Sequence, residues 1–185
     1  MESLTTNEVV ALFGLDARRV RKEVEYGLFG ASSPPRFDLT ATVYLCTVSE
    51  LGFELGAVED RRKLYALIAN AMKKAKRPET VELSPVADLK IGHLVGEVED
   101  KTGRFESWKR KLVTDDRILG GEPVFPGSRL AVRHIGGLLL QGTAPTEIRE
   151  DYPYLKDEDI EFAKMYALAY PPMGRPRRGP EASSR

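Results

Sequence analysis

The stretch Ile118–Tyr170 reads ILGGEPVFPGSRLAVRHIGGLLLQGTAPTEIREDYPYLKDEDIEFAKMYALAY, and its turns and apolar spacing decide the fold class. Gly120-Gly121 and Phe125-Pro126-Gly127-Ser128 are turn punctuation, so Pro123-Val124-Phe125 between them predicts a short strand in a small β-ribbon. An edge position is expected for it, because Pro has no N–H to give to a ladder. Beyond Arg129, the apolar residues Leu130, Val132, Ile135, Leu138 and Leu139 recur at helical spacing up to a left-handed stop at Gly142. A second, short helix starts at Pro145, whose fixed φ suits a first helical position, and stops before Pro153. The third enters through Asp157, Glu158 and Asp159, draws its apolar face from Ile160, Phe162, Ala163, Met165, Tyr166 and Leu168, and ends at Pro171-Pro172. Three helices and a ribbon predict a trihelical, winged-helix-like unit.

A second helical unit is legible at the other end of the chain. Thr5-Thr6-Asn7-Glu8 offers capping hydroxyls and an acid for a first turn, and Val9, Val10, Leu12 and Phe13 follow as a short amphipathic helix that Gly14 ends. Asp16 can cap the next helix, which runs through Val20 and Val24 toward Tyr26-Gly27 and carries Arg18, Arg19, Arg21 and Lys22 in its first turns. A short helix bracing a second one, with cations at the start of the second, is the arrangement a DNA-binding helix-turn-helix needs. Arg18, Arg19, Arg21 and Lys22 are therefore the candidate contacts to operator DNA. The competing reading is a solvated helix face balanced by Glu23 and Glu25.

Between the two units, Ser32-Ser33-Pro34-Pro35-Arg36 reads as a turn or wing, Phe37 as a brief strand, and Asp38 or Thr40 as the start of a helix through Leu51. Val58 to Lys76 predicts another helix, with Leu64, Leu67, Ile68, Ala71 and Met72 inward and Arg61, Arg62, Lys63, Lys73, Lys74 and Lys76 outward, either on phosphates or in solvent. A strand is expected over Thr80–Leu83. Residues 88–112 have apolar positions at roughly helical intervals and predict a connecting helix, or a pair interrupted at Gly103, with Trp108 as an anchor between the halves. The expected architecture is mainly α with short β-ribbons: two helix-turn-helix or winged-helix-like units joined by a helical connector. The expected boundaries are 1–85, 86–112 and 113–172, with a basic tail at 173–185.

The chain has 185 residues, 42% of them hydrophobic, enough for one full domain or two small ones. Basic and acidic residues balance at 28 each, which excludes a histone-like polycation and leaves nucleic-acid binding to local patches. The single Cys46 excludes an internal disulfide and a cysteine-based metal cluster, and its neighbours Tyr44, Leu45 and Val48 point to a buried thiol. The first residues carry no secretory pattern and about 18 consecutive apolar residues occur nowhere, so a cytoplasmic protein without membrane contact is expected.

Catalysis would need a nucleophile with a base, a carboxylate pair in a cleft, or closely spaced metal ligands. None is legible: His93 and His134 lie in different segments, Ser32, Ser33 and Ser128 sit at turns, and neither Gly120-Gly121 nor Gly136-Gly137 has the order of a phosphate loop. No catalytic residue, metal or cofactor is assigned, and the reading is of a binding protein rather than an enzyme.

The run Gly120-Gly121-Glu122-Pro123-Val124-Phe125, then Gly127-Ser128-Arg129-Leu130 and Val132, with Gly142, Glu147-Ile148, Tyr152-Pro153, Leu155 and Asp159-Ile160, resembles the small prokaryotic family catalogued as domain of unknown function 433. Members of that family look like antitoxins of the VapB type, found beside toxins with PIN-like ribonuclease folds. Two positions depart from the pattern: Ala144 stands where Ser would precede the helix-starting Pro, and Lys156 where Thr or Ser would follow the Leu. Both are poor N-caps. The opening Leu4-Thr5-Thr6-x-Glu8-Val9-Val10-x-Leu12-Phe13-Gly14-Leu15-Asp16 also looks like the start of MerR-type and excisionase-type DNA-binding modules.

These resemblances imply a type II antitoxin that binds a PIN-like ribonuclease toxin, represses its own operon at operator DNA, and acts as a homodimer because operators are read two-fold symmetrically. A helix-turn-helix regulator without a toxin is the alternative; an enzyme or small-molecule sensor is a third. In the tail, Gly174-Arg175-Pro176-Arg177-Arg178 is similar to the core of an AT-hook, with Met173 where an Arg would precede the Gly. Arg175, Arg177 and Arg178 are thus candidates for a DNA minor groove or for a toxin's acidic metal site, against a bland basic terminus.

Overall fold

Local signals at Thr5 and Asp16 set the start of the chain, as the computed structural model shows; it describes residues 3–30, 32–52 and 57–171. Leu4–Thr5 (β1) pairs antiparallel with Arg36–Phe37 (β2), Leu4 opposite Phe37. Thr5 then caps Thr6–Phe13 (α1): its hydroxyl accepts the Glu8 N–H at 3.2 Å while the Glu8 carboxylate accepts the Thr5 N–H at 2.8 Å. Gly14 stops α1 at φ 63°, a left-handed conformation that costs glycine little. Ala17–Glu25 (α2) follows, and after β2 come Leu39–Leu51 (α3) and Val58–Lys74 (α4). α3 is buried continuously from Ala41 to Val48, and Cys46 within it is buried as expected, its thiol pushed up to about 12 by desolvation and by Glu97 and Glu50.

Thr80–Ser84 (β3) and Ala87–Lys90 (β4) form an antiparallel hairpin with Val81 opposite Leu89. Gly92–Lys109 (α5), Val132–Leu140 (α6), Pro145–Asp151 (α7) and Asp157–Ala169 (α8) complete the fold. The protein is mainly α with two small two-stranded ribbons, the fold class expected. α6 packs on α8, α3 on α5 and α4, and α1 on α8, so the first and last helices of the described chain are neighbours.

One hydrophobic cluster runs from Leu4 to Tyr166. Its densest part surrounds Trp108, which is 1% exposed and lies against Phe105, Phe125, Phe162 and Tyr166, with ring centroids 5.6–6.4 Å apart. Burying each such ring stabilises the fold by about 1.5–3 kcal/mol. The indole N–H donates to Asp159 Oδ1 at 2.9 Å, and Asp159 Oδ2 accepts the Lys156 N–H at 2.9 Å. Asp159 therefore serves one of the orphan donors at the start of α8, where Lys156 gives no side-chain cap; Ala144 gives none to α7.

A polar clamp ties α1 to the end of α8. Glu8, only 4% exposed, accepts from Lys109 Nζ at 3.0 Å and from the Tyr170 hydroxyl, and Lys109 also donates to that hydroxyl at 3.1 Å and pairs with Glu106 at 2.8 Å. Burial alone would raise the Glu8 carboxyl, but the hydrogen bonds from Tyr170, Thr5 and Lys109 hold it at about 2.

Three expectations need correction, and one open alternative is decided. The segment expected as a helical connector, 86–112, begins as strand β4, because Ser84, Pro85 and Val86 make a hairpin turn that lets Leu89 face Val81. Of the two alternatives for the helix, the single one holds: α5 is continuous through Gly103, whose missing side chain faces open space and so needs no break. Val124 is not at an edge: it bridges Val113 on one side and Ala131 on the other, and Pro123 contributes a carbonyl, to Val132, where it has no N–H to give. Leu168 is 46% exposed, since one position off the Tyr166–Ala169 stripe turns it to solvent; Ala167 and Ala169 are buried in its place.

Candidate nucleic-acid interface

Asp16 fixes where α2 begins. Its Oδ1 accepts the N–H groups of Arg18 at 2.8 Å and Arg19 at 2.9 Å, and those bonds, with the nearby guanidinium charges, hold its carboxyl below the usual range. Val20 and Glu23 form the buried side of the helix, and Arg18, Arg19, Arg21 and Lys22 all lie outside it. None of the four cations forms an ion pair among the described residues. The structure thus brings these predicted residues together on one helix.

Of the two acids of α2, Glu25 is exposed with them, whereas Glu23 does not balance them. It is 3% exposed and turned inward, where its carboxylate accepts from the Tyr44 hydroxyl at 2.9 Å and pairs with the Arg61 guanidinium. Arg61, expected to point outward from α4, is 8% exposed and also lies over the Tyr26 ring, 5.3 Å from its centroid. The reason is the partner 38 residues earlier: two buried charges satisfy each other where either alone would be expelled. Burial and the Glu23 charge push the Tyr44 phenol up, keeping it a donor. Arg62 Nη2 adds a bond to the Tyr26 carbonyl at the end of α2.

Beneath this network Phe29 packs edge-on against Phe37, Tyr44 and Tyr65, with centroids 5.3–5.9 Å apart. α2 is therefore held by a buried ion pair on one side and an aromatic cluster at its end, so its outward cations are presented on a rigid support. Sequence reasoning missed Glu23, Tyr44 and Arg61 as supports. One signal was available: Glu23 is three residues after Val20 and so lies in the inward stripe of the helix.

The last two helices, α7 and α8, carry the opposite net charge. Glu147, Glu150 and Asp151 are exposed on α7, and Asp157 and Glu161 on α8. Arg149 is drawn into an ion pair with Asp157 at 3.3 Å. The net negative charge of α7 and α8 disfavours a phosphate backbone there.

The remaining candidates are dispersed. His93 faces Glu50 at 3.0 Å on the surface, and His134 lies apart from it on α6. Among the described residues no group of three His, Cys, Asp or Glu side chains could hold a metal ion, and no helix is long and apolar enough to cross a membrane. A small cleft between α2 and α3, lined by Leu15, Arg19, Val20, Lys22, Leu45 and Val48, borders Glu23 and Arg61, whose charges are engaged with each other. Arg175, Arg177 and Arg178 lie outside the described residues.

Comparison with known proteins gives one relative and one family match. No solved structure matches the chain. A stretch of 69 residues is 38% identical to an uncharacterized protein, y4eO, of Sinorhizobium fredii (strain NBRC 101917 / NGR234), covering 37% of this chain and 31% of that protein. Residues 112–167, from the end of the α5 turn through the turns around Val124 to α8, match the family described as "Protein of unknown function (DUF433)".

Proposed function

We propose that this protein is a DNA-binding antitoxin and autoregulator: its N-terminal helix-turn-helix contacts operator DNA as a two-fold dimer, and its C-terminal unit and tail hold a PIN-like ribonuclease toxin. The observation that carries the DNA half is the set of outward cations Arg18, Arg19, Arg21 and Lys22 on α2, which form no ion pair among the described residues; of the helix's two acids, Glu23 is turned inward to Arg61 and Glu25 is exposed. Cations at the start of a braced second helix are placed to meet phosphates and base edges. The toxin half is supported by the likeness of residues 112–167 to a family of unknown function, together with the resemblance, read from sequence, of that family's members to VapB-type antitoxins. An acidic C-terminal surface is also better suited to a protein partner than to a second phosphate contact.

A gel shift on the DNA upstream of the gene tests the first half: Arg18→Ala/Arg21→Ala should weaken binding at least tenfold, and equal affinity would remove α2 as the contact. Co-expression with the neighbouring reading frame tests the second, because a ribonuclease should co-purify and lose activity; if none does, the antitoxin reading fails. A stand-alone regulator is the alternative. It is favoured by one observation: the cationic helix lies entirely outside the family-matched region.

A further inference from the structure

We infer that strand β4 is the dimer interface, pairing antiparallel with the same strand of a second copy about Leu89. This deepens the two-fold part of the proposed function. Association is read without DNA, so either claim can fail while the other stands.

The hairpin has an open side. α4 packs against β3, and β4 pairs with no strand other than β3 among the described residues, leaving Ala87, Asp88 and Lys90 exposed. Ile91 donates its N–H to the Glu79 carbonyl, so antiparallel alternation directs the backbone groups of Ile91 and Leu89 toward β3 and those of Asp88 and Lys90 outward. A two-fold axis through Leu89 sets Asp88 opposite the other copy's Lys90, and Lys90 opposite its Asp88. These are the positions whose N–H and C=O are free to bond, so backbone and charge demand the same register.

Charge supplies an independent argument. Within the hairpin Glu82 lies directly opposite Asp88, a like-charge pair that is unfavourable across strands, and neither carboxylate has an ion-pair partner among the described residues. The other copy's Lys90 would extend that row and neutralise it. Leu89 and Val81 share the opposite face, toward α4, where Leu89 borders an apolar groove with Leu51, Leu64, Leu67 and Leu83. The joined sheet would thus be apolar beneath and charged above. It would place the two β3 strands about 14 Å apart at ~4.8 Å per strand, wider than the ~8–10 Å that the two α4 helices below require.

Light scattering after gel filtration tests the proposal on the full chain. Wild type should run at twice the 20.6 kDa chain mass at micromolar concentration. Asp88→Lys sets Lys against Lys at both ends and should raise the dissociation constant at least tenfold with unchanged circular dichroism; Asp88→Lys/Lys90→Asp should restore the dimer. Leu89→Cys, with Cys46 buried and out of reach, should form an interchain disulfide on mild oxidation, whereas Glu82→Cys should not. A monomeric wild type, a dimer indifferent to Asp88→Lys, a double variant that stays monomeric, or a Leu89→Cys chain that does not cross-link would each overturn it.

Discussion

The α1–α2 and α6–α8 units share one organisation, short helices joined at a left-handed glycine, yet they present opposite charges and are held by opposite means. Gly14 and Gly142 end α1 and α6 at φ 63° and 101°. Past that point α2 carries Arg18, Arg19, Arg21 and Lys22 on its outer side, whereas α7 exposes Glu147, Glu150 and Asp151. α2 is held by a buried ion pair; α6 is held by close approach, because Gly136 lies against the backbone of α8 at Ala163. A shared turn pattern therefore fixes geometry and leaves function to the outward residues.

The largest effect should come from breaking the N-terminal support. Arg61→Ala leaves Glu23 buried without its cation, and chemical denaturation should show a loss of about 3–5 kcal/mol; a loss under about 1 kcal/mol would mean that the pair does not hold α2. Next, a side chain at position 136 would collide with the Ala163 carbonyl and Ala167 Cβ, so Gly136→Val should cost about 3 kcal/mol, while Gly137→Ala, facing open space, should be neutral or stabilising. Equal costs at the two positions would refute the close crossing.

The joint between the units responds to pH. Because the Glu8 carboxyl is held at about 2 in the folded chain, below the ordinary 4.5, its contribution is present above pH 4.5 and is lost as pH falls toward 2. Across that window wild type should lose about 2–3 kcal/mol more than Glu8→Gln does, measured by denaturation at each pH; parallel curves would dismiss the clamp. The smallest change sharpens the C-terminal unit: Ala144→Ser supplies the cap that α7 lacks and should add about 1 kcal/mol. An unmoved midpoint would show that the start of α7 is already satisfied.

What could be read from sequence was what neighbouring residues determine. The Thr5 and Asp16 caps, the glycine stops and the Pro145 start each involve partners within a few positions, and each is where it was expected. The failures mostly involve distance in the chain. Leu89 and Ile91 continue an apolar spacing that suits a helix, and only pairing with Val81 across the turn makes Leu89 part of a strand. Arg61 looks like a surface cation until Glu23 is known to lie beside it. Likewise the cationic face of α2 was legible, whereas the partner that Glu23 meets inside, Arg61, lies 38 residues away.

The most direct measurement is the salt dependence of duplex binding by two charge-altered chains. With Arg18, Arg19, Arg21 and Lys22 all changed to Ala, the slope of log K against log salt should flatten by about 0.9 for each phosphate no longer neutralised, while Glu147→Ala/Glu150→Ala leaves it unchanged. An unaltered slope in the first chain, or an altered one in the second, would contradict the division of labour between the two units.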